Sequence, residues 1–328
     1  MKTTESPKFI VTGGAGFIGS NLVAALNARG LRDIVIVDEL DSDLKKANLQ
    51  HLRYRKYLDL ADFRAQLLDN RVNPVAAVFH LGACSSTTET REDYLNDHNV
   101  VASKELCEWS LKNNARFIYA SSAATYGNGA RGYSDDDEVT PTLRPLNLYG
   151  QSKLAFDLWA LANGHLNRIV GLKYFNVYGP REDHKGDMRS VVNKAYGQIL
   201  ETGRLDLFKS YRREYGDGEQ DRDFVHVRDA VYATLFFYEH PQVAGLFNCG
   251  TGTARTWLDL AKAVFAAMNR RPKIRFIEMP ESIRENYQYH TQADVSKLRR
   301  VGYTAPFISL EEGVKDYVRN YLATRDPM

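Results

Sequence analysis

A phenol and an ammonium stand four residues apart in Tyr149-Gly150-Gln151-Ser152-Lys153, just after a Pro145-Leu146-Asn147 turn. On a helix that begins at that turn the two share one face. Tyrosine normally gives up its proton near pH 10, but a close lysine cation favours phenolate and can make a base of it at working pH. The same pair on a solvated helix face does nothing, so a site needs a third group and a ligand. Ser122 can be the third group. It lies just beyond the strand-like run Arg116 to Ala120, where a hydroxyl could hydrogen-bond an oxygen that alternates between alcohol and carbonyl.

The ligand is suggested by Phe9-Ile10-Val11-Thr12-Gly13-Gly14-Ala15-Gly16-Phe17-Ile18-Gly19, which changes within a few residues from a buried strand to a glycine-rich turn. Gly13, Gly16 and Gly19 permit a tight strand-to-helix turn, close approach of backbone to a pyrophosphate, and close packing of helix on sheet. An amphipathic helical pattern follows from Phe17 to about Arg29, then a second strand, Ile34-Val35-Ile36-Val37, ending at Asp38. That carboxylate lies about 20 positions on, where it can hold an adenosine ribose. The segment reads as a dinucleotide site, and an oxidised nicotinamide beside Tyr149 would favour phenolate further.

Further strand-like runs, Val75 to His80, Arg116 to Ala120 and Ile169 to Tyr174, alternate with helical stretches at about Glu92 to Lys112 and Tyr149 to Gly164. Such alternation predicts an α/β fold: a doubly wound parallel sheet, with ligands at the C-terminal strand ends. After Phe175 the pattern loosens into Gly179-Pro180, a charged segment from Glu182 to Arg189 and a polar loop from Lys209 to Arg222. The chain is expected to return to the sheet at Phe224 to Val227 and again near Phe247. Residues 1–174, with returning segments at about 223–251, are therefore expected to form a Rossmann-type dinucleotide-binding domain. Residues 175–222 and 252–328 would mainly form a smaller, interleaved C-terminal substrate lobe.

The net charge is +2 over 328 residues, and the basic residues are spread along the chain, so no footprint for nucleic acid or an anionic membrane is present. Cys84, Cys107 and Cys249 form no CxxC pair, which argues against a disulfide framework or a zinc site, and no metal is expected. Met1 to Pro7 is polar, and no stretch approaches the ~18 apolar residues of a membrane span. A cytoplasmic protein is expected, with small molecules and copies of itself, as a homo-oligomer, for partners.

The glycine turn with Ser122, Tyr149 and Lys153 resembles the extended short-chain dehydrogenase/reductase family, whose members act on nucleotide sugars, over nearly the whole chain. The resemblance implies NAD(P) held by Gly13, Gly16, Phe17, Ile18 and Gly19, a catalytic triad of Ser122, Tyr149 and Lys153, and a further contact of Lys153 with the nicotinamide ribose. Three more segments resemble the branch that epimerises ADP-heptose: Leu81-Gly82-Ala83-Cys84-Ser85-Ser86-Thr87-Thr88-Glu89, the run from Tyr119 to Gly127, and the run from Tyr174 to Gly186. This branch implies a second acid/base, Lys185, in His184-Lys185-Gly186. Returning hydride to the opposite face of a carbon places the alcohol oxygen differently in the two half-reactions, so two proton-transfer groups can each serve one orientation. To act as a base Lys185 would need burial or a neighbouring cation.

The same resemblance implies cofactor contacts from Asp38, Glu39, Lys45, Leu81, Gly82, Ala83, Cys84, Ser85, His98, Val177 and Lys185. It implies substrate contacts from Ser86, Asn176, Asp187, Lys194, Phe208, Lys209, Ser210 and Tyr211, with Arg222 clamping the ADP pyrophosphate and Tyr287 closing over the sugar. The implied reaction inverts C6″ between ADP-D-glycero-β-D-manno-heptose and its L-glycero epimer, for the lipopolysaccharide core. NADP, with NAD as the other possibility, would be tightly bound, one per subunit.

Three features depart from the family pattern. The Arg212 to Gln220 loop is long, which leaves individual contacts from Lys209 to Tyr211 open. His98 stands where many relatives carry a cofactor-contacting asparagine, with Asn99 beside it. Asp38-Glu39 would repel a 2′-phosphate whereas Lys45 and Lys46 could neutralise one. Two other functions share the early motifs: a nucleotide-sugar 4,6-dehydratase, or another epimerase of the family, and a nonenzymatic NAD(P)-binding redox sensor. The dehydratases resemble one another in an Asp-Glu after the catalytic hydroxyl, where this chain has Ala123-Ala124, and a sensor has no use for Tyr149.

Overall fold

Apolar runs without alternation make strands that are covered on both faces. Phe9–Thr12 (β1) and Ile34–Asp38 (β2) are of this kind, followed by Lys56–Asp59 (β3), Ala77–His80 (β4), Arg116–Ser122 (β5) and Val170–Tyr174 (β6). The later strands are Asn176–Tyr178 (β7), Leu205–Phe208 (β8), Asp221–His226 (β9), Gly245–Cys249 (β10), Ala254–Thr256 (β11) and Ile274–Ile277 (β12). The structure is a computed structural model that describes residues 8–285 and 287–324; the Met1 to Pro7 segment lies outside the described residues.

Seven strands form one parallel sheet in the order β10-β6-β5-β4-β1-β2-β3. Its 3-2-1-4-5-6 core is the Rossmann order, with the reversal between β1 and β4 where dinucleotides bind. Sequence patterning missed β3, because Lys56-Tyr57-Leu58-Asp59 is an edge strand with exposed charges at both ends and carries no buried-strand signal. Of the two anticipated returns, the second is correct: β10 pairs with β6. The first is corrected, since β9 lies in a separate three-stranded sheet, parallel to β7 and antiparallel to β11. Its apolar Phe224-Val225 is buried, as a central strand would be, so composition alone could not tell the two sheets apart.

Two apolar clusters cover the faces of the large sheet. One includes Leu22, Val23, Val231 and Phe237, and the other Leu106, Trp109, Phe156 and Leu166. A third cluster, with Val192, Ile199, Phe224, Leu260, Phe265 and Val314, forms a separate core among the helices Val191–Thr202, Trp257–Ala267 and Leu310–Tyr317. Residues 92–112 are helical throughout, as expected, but with a π-helical stretch at Asn96–Val101. Among the described residues no helix is long and apolar enough to cross a membrane, and no His, Cys, Asp and Glu cluster could hold a metal ion.

Candidate active site

Asn147 caps the Leu148–Ala162 helix by accepting from the Gly150 N–H at 2.8 Å. The helix therefore starts one residue before Tyr149, and the four-residue spacing turns Tyr149 and Lys153 together toward β5. Ser122 ends β5. Its Oγ accepts from the Ala124 N–H at 3.1 Å, and its side chain faces the Tyr149 phenol. Lys153 is buried and donates from Nζ to the Ala120 carbonyl at 2.8 Å. Burial draws the Lys153 ammonium down to about 8, against the opposing field of Asp157. For Tyr149 burial raises the phenol above its ordinary value, and the Ser122 hydroxyl only partly offsets this. Phenolate here needs further positive charge, of the kind an oxidised nicotinamide brings.

The glycine turn is shaped for a ligand. Gly13 has φ +66°, and a Cβ there would lie 2.6 Å from the Gly82 nitrogen; at Gly19 a Cβ would meet the Gly13 oxygen at 2.0 Å. Gly16 precedes the Phe17–Ala28 helix without a side-chain cap, which leaves the helix N-terminus to an anion. The Ala15 N–H donates to Asp38 Oδ2 at 2.8 Å, tying the turn to the end of β2. Asp38 Oδ1 is 3.0 Å from Lys45 Nζ, which also donates to the Glu39 carbonyl at 2.8 Å. A cavity of about 240 Å³ opens there, lined by Gly13, Asp38, Glu39, Lys45, Gly82, Ala83, Cys84 and His98. These residues fit a dinucleotide. Leu81 packs at the edge of the core, Ser85 is exposed, and Ile18 packs against the core from the helix.

His98 lines this cavity, whereas Asn99 is buried. Asn99 accepts from the Cys84 N–H at 2.9 Å and donates to the Cys84 carbonyl and to Ser152 Oγ, each at 2.9 Å. The neighbouring asparagine thus holds the Cys84 backbone in place from within the π-helical stretch.

Lys185 belongs to a second wall. It lies in the Asp183–Met188 turns, with Gly186 at φ +53°. Its Nζ stands 5.5 Å over the Phe17 ring, which places it beside the glycine turn. Burial lowers its ammonium, with Glu182 opposing. Glu182 is fully buried and accepts from both the N–H and the hydroxyl of Ser190, each at 2.6 Å. Asn48 Nδ2 reaches the Ala15 carbonyl at 3.0 Å, the Arg181 carbonyl at 3.1 Å and His184 Nδ1 at 3.2 Å, joining the two walls. Lys185, Asn176 and Val177 line a second cavity of about 250 Å³ with Met188, Arg189, Phe224 and Trp257. Asp187 and Lys194 are exposed, and Lys194 Nζ donates to the Asp187 carbonyl at 3.2 Å. Ser86 Oγ pairs with Thr88 Oγ1 at 3.0 Å, and Thr87 of the same loop donates to Met188 Sδ at 3.9 Å.

Arg222 on β9 is buried, stacked 5.4 Å from the Trp257 ring and 5.3 Å from the Tyr287 ring. It donates to the Asp221 carbonyl at 2.7 Å and to the Gln288 carbonyl. Burial lowers its guanidinium below the ordinary value. Trp257 Nε1 donates to the Tyr287 hydroxyl at 2.9 Å, closing the cluster. Phe208 ends β8, and beyond it the side chains of Lys209 and Tyr211 both hydrogen-bond Glu278. The Ser210 N–H donates to Asp217 at 2.8 Å and the Tyr211 N–H to the Tyr289 hydroxyl at 3.0 Å. The long loop folds back on itself, with Tyr289 linking it to Tyr287. Trp257, Arg189 and Asn48 were missed from sequence. Trp257 and Asn48 act through partners far along the chain, Arg189 bonds the nearby Gly186 carbonyl and Asn193, and no local motif marks any of the three.

A family model described as the NAD dependent epimerase/dehydratase family matches residues 9–250. A protein of Nitratidesulfovibrio vulgaris named ADP-L-glycero-D-manno-heptose-6-epimerase is 52% identical, over 97% of this chain and 99% of the relative. The crystal structure of the Helicobacter pylori protein of that name superposes with a TM-score of 0.82 at 30% identity, covering 97% of each chain. A UDP-glucuronic acid 4-epimerase from Bacillus cereus, in complex with UDP-glucuronic acid and NAD, gives 0.76 at 26% identity, over 95% of this chain and 99% of that one. With its glycine turn, parallel sheet and Tyr149–Lys153 pair, this chain belongs to the NAD dependent epimerase/dehydratase family.

Proposed function

We propose that this protein interconverts ADP-D-glycero-β-D-manno-heptose and ADP-L-glycero-β-D-manno-heptose at C6″, providing heptose for a lipopolysaccharide core. The observation that carries this reading is a site with two separate, half-buried proton-transfer candidates, Tyr149 with Ser122 on one wall and Lys185 on the other. The relatives' shared name supplies the substrate class. A nicotinamide bound on the glycine turn supplies the hydride exchange at C6″. In one orientation of the sugar Tyr149 takes or gives the C6″ hydroxyl proton, with Ser122 holding the same oxygen; in the other, Lys185 does so. Asn176 would hold the sugar, and Arg222 would exchange its backbone carbonyls for the ADP pyrophosphate, to which its fork of donors is suited. Tyr287 closes that end. Ala123-Ala124 after Ser122 have no side-chain group that can donate or accept a proton, which disfavours water elimination.

NADP is the cofactor we propose, one per subunit and retained through the cycle. Lys45, 3.0 Å from Asp38, offsets the carboxylate that would otherwise repel a 2′-phosphate. We further infer that the third apolar cluster marks the substrate lobe of residues 175–222 and 252–328, and that the protein works in the cytoplasm as a homo-oligomer. The decisive experiment incubates purified protein with ADP-D-glycero-β-D-manno-heptose, without added cofactor, and follows C6″ configuration by NMR. Interconversion is expected. No interconversion by protein that demonstrably carries nicotinamide overturns the reading.

A further inference from the structure

Behind the Tyr149–Lys153 pair lies a buried network with no place in the proposed proton transfers. Asp157, one turn beyond Lys153 on the same helix, accepts from the Tyr119 hydroxyl at 2.8 Å, Ser121 Oγ at 2.7 Å and Lys173 Nζ at 2.8 Å. Tyr119 and Ser121 come from β5 and Lys173 from β6, so a single carboxylate fastens the helix to two strands. Both side chains of the Asp157–Lys173 pair are 0% exposed. Lys173 also donates to Thr125 Oγ1 at 2.8 Å and lies 5.1 Å over the Tyr126 ring.

A fully buried ion pair is weak evidence for stability, since well-packed apolar residues of similar volume often serve as well. Its placement offers another reason for it. Tyr119 and Ser121 flank Ala120, whose carbonyl receives the Lys153 ammonium. The helix rotation that seats Asp157 on its donors is therefore the rotation that seats Lys153 on Ala120 and brings Tyr149 to Ser122. The titratable groups whose fields reach Lys153 are Asp157 on its own helix, Cys84 on the loop after β4, and His80 at the end of β4. His80 is held neutral by burial, pushed down to about 3, so Asp157 is the one carboxylate among them.

We propose that Asp157 and Lys173 are positioning residues for the Tyr149–Lys153 pair: the carboxylate fixes the helix against β5 and β6, and its charge keeps Lys153 an ammonium. Lys173 balances that carboxylate, so the network can be buried whole. The inference rests on reading Tyr149 and Lys153 as the acid–base machinery, and its test does not depend on the identity of the sugar.

The test titrates Lys153 in the full chain by NMR of 13Cε-labelled lysine, with the signal assigned by its loss in Lys153→Met. Asp157→Asn keeps the shape and removes the charge, and the Lys153 midpoint is expected to fall by at least about half a pH unit. Asp157→Asn combined with Lys173→Met removes both charges, and decides the matter if the single variant does not fold; a fall in the same direction is expected. In parallel, kcat should drop about tenfold with KM changed less than about twofold, and the alkaline limb of the kcat profile should move down with the NMR midpoint. A folded variant whose Lys153 midpoint stays at the wild-type value overturns the proposal. If wild type turns over no ADP-heptose while the midpoint still shifts, the substrate reading fails and the positioning role stands.

Discussion

The two walls of the site hold their proposed proton-transfer groups by different means. Tyr149 and Lys153 ride a capped helix of 15 residues fastened to the central sheet. Lys185 sits in a loop of short turns, held by Glu182 on Ser190 and by Asn48 on the Arg181 carbonyl and His184. The first wall draws its geometry from backbone periodicity and a buried polar network. The second draws it from a few side-chain hydrogen bonds, each worth roughly 0.5–3 kcal/mol net. A rigid wall suits a group that must align with a fixed cofactor. A loop suits a group that must meet an oxygen after the sugar has turned.

This contrast can be tested in order of expected effect. Tyr149→Phe should reduce kcat by about 10³- to 10⁴-fold while nicotinamide stays bound, read by NMR turnover and by absorbance of the bound cofactor. Lys185→Met should cost about 10²- to 10³-fold in the same assay; a variant with full activity would remove Lys185 from the mechanism. Next comes pH. The Lys153 ammonium, with its pKa drawn down to about 8, is present below that value and lost above it. Wild-type kcat should therefore fall roughly tenfold from pH 7 to pH 9, and a flat profile would show that the rigid wall does not need its cation. Glu182→Gln, which gives up the charge but keeps one acceptor for Ser190, should lower kcat by about fivefold and leave the far-ultraviolet spectrum unchanged. The smallest effect is expected at Gly186→Ala. No atom lies within 4 Å of the added Cβ, so the cost is confined to the backbone at φ +53° and ψ −124°, roughly 1–3 kcal/mol in thermal unfolding, with kcat within about twofold.

The same contrast governs what the sequence disclosed. The strands β1, β2 and β6, the 92–112 helical stretch and the Tyr149 helix were all legible, because apolar runs and helical spacing are local signals. The edge strand β3 was not, since its exposed ends mute that signal, and β9 was assigned to the wrong sheet because pairing is not local. Within the site, the glycine turn and Tyr149–Lys153 could be read from chemistry and spacing alone. Lys185 was reached only through resemblance, as a lysine in a charged segment looks solvated until the Phe17 ring is placed under it. Trp257 and Asn48 stayed invisible for a related reason: their partners Arg222, Ala15 and Arg181 are brought near by tertiary folding. At Tyr149 spacing reveals the nearby cation and not the burial, which raises the phenol before any nicotinamide is bound.

The sheet edge at β10 has a consequence for synthesis. Strand β6 ends at Tyr174, and the strand that covers its outer edge does not begin until Gly245. At about 5–20 residues per second on the ribosome, roughly 4–14 s pass before that partner is made. During this interval Val170-Gly171-Leu172-Lys173-Tyr174 presents bare hydrogen-bonding groups, and most of the intervening chain emerges before they are covered. The nascent chain is thus most exposed to edge-to-edge aggregation just before its nucleotide-binding sheet is complete.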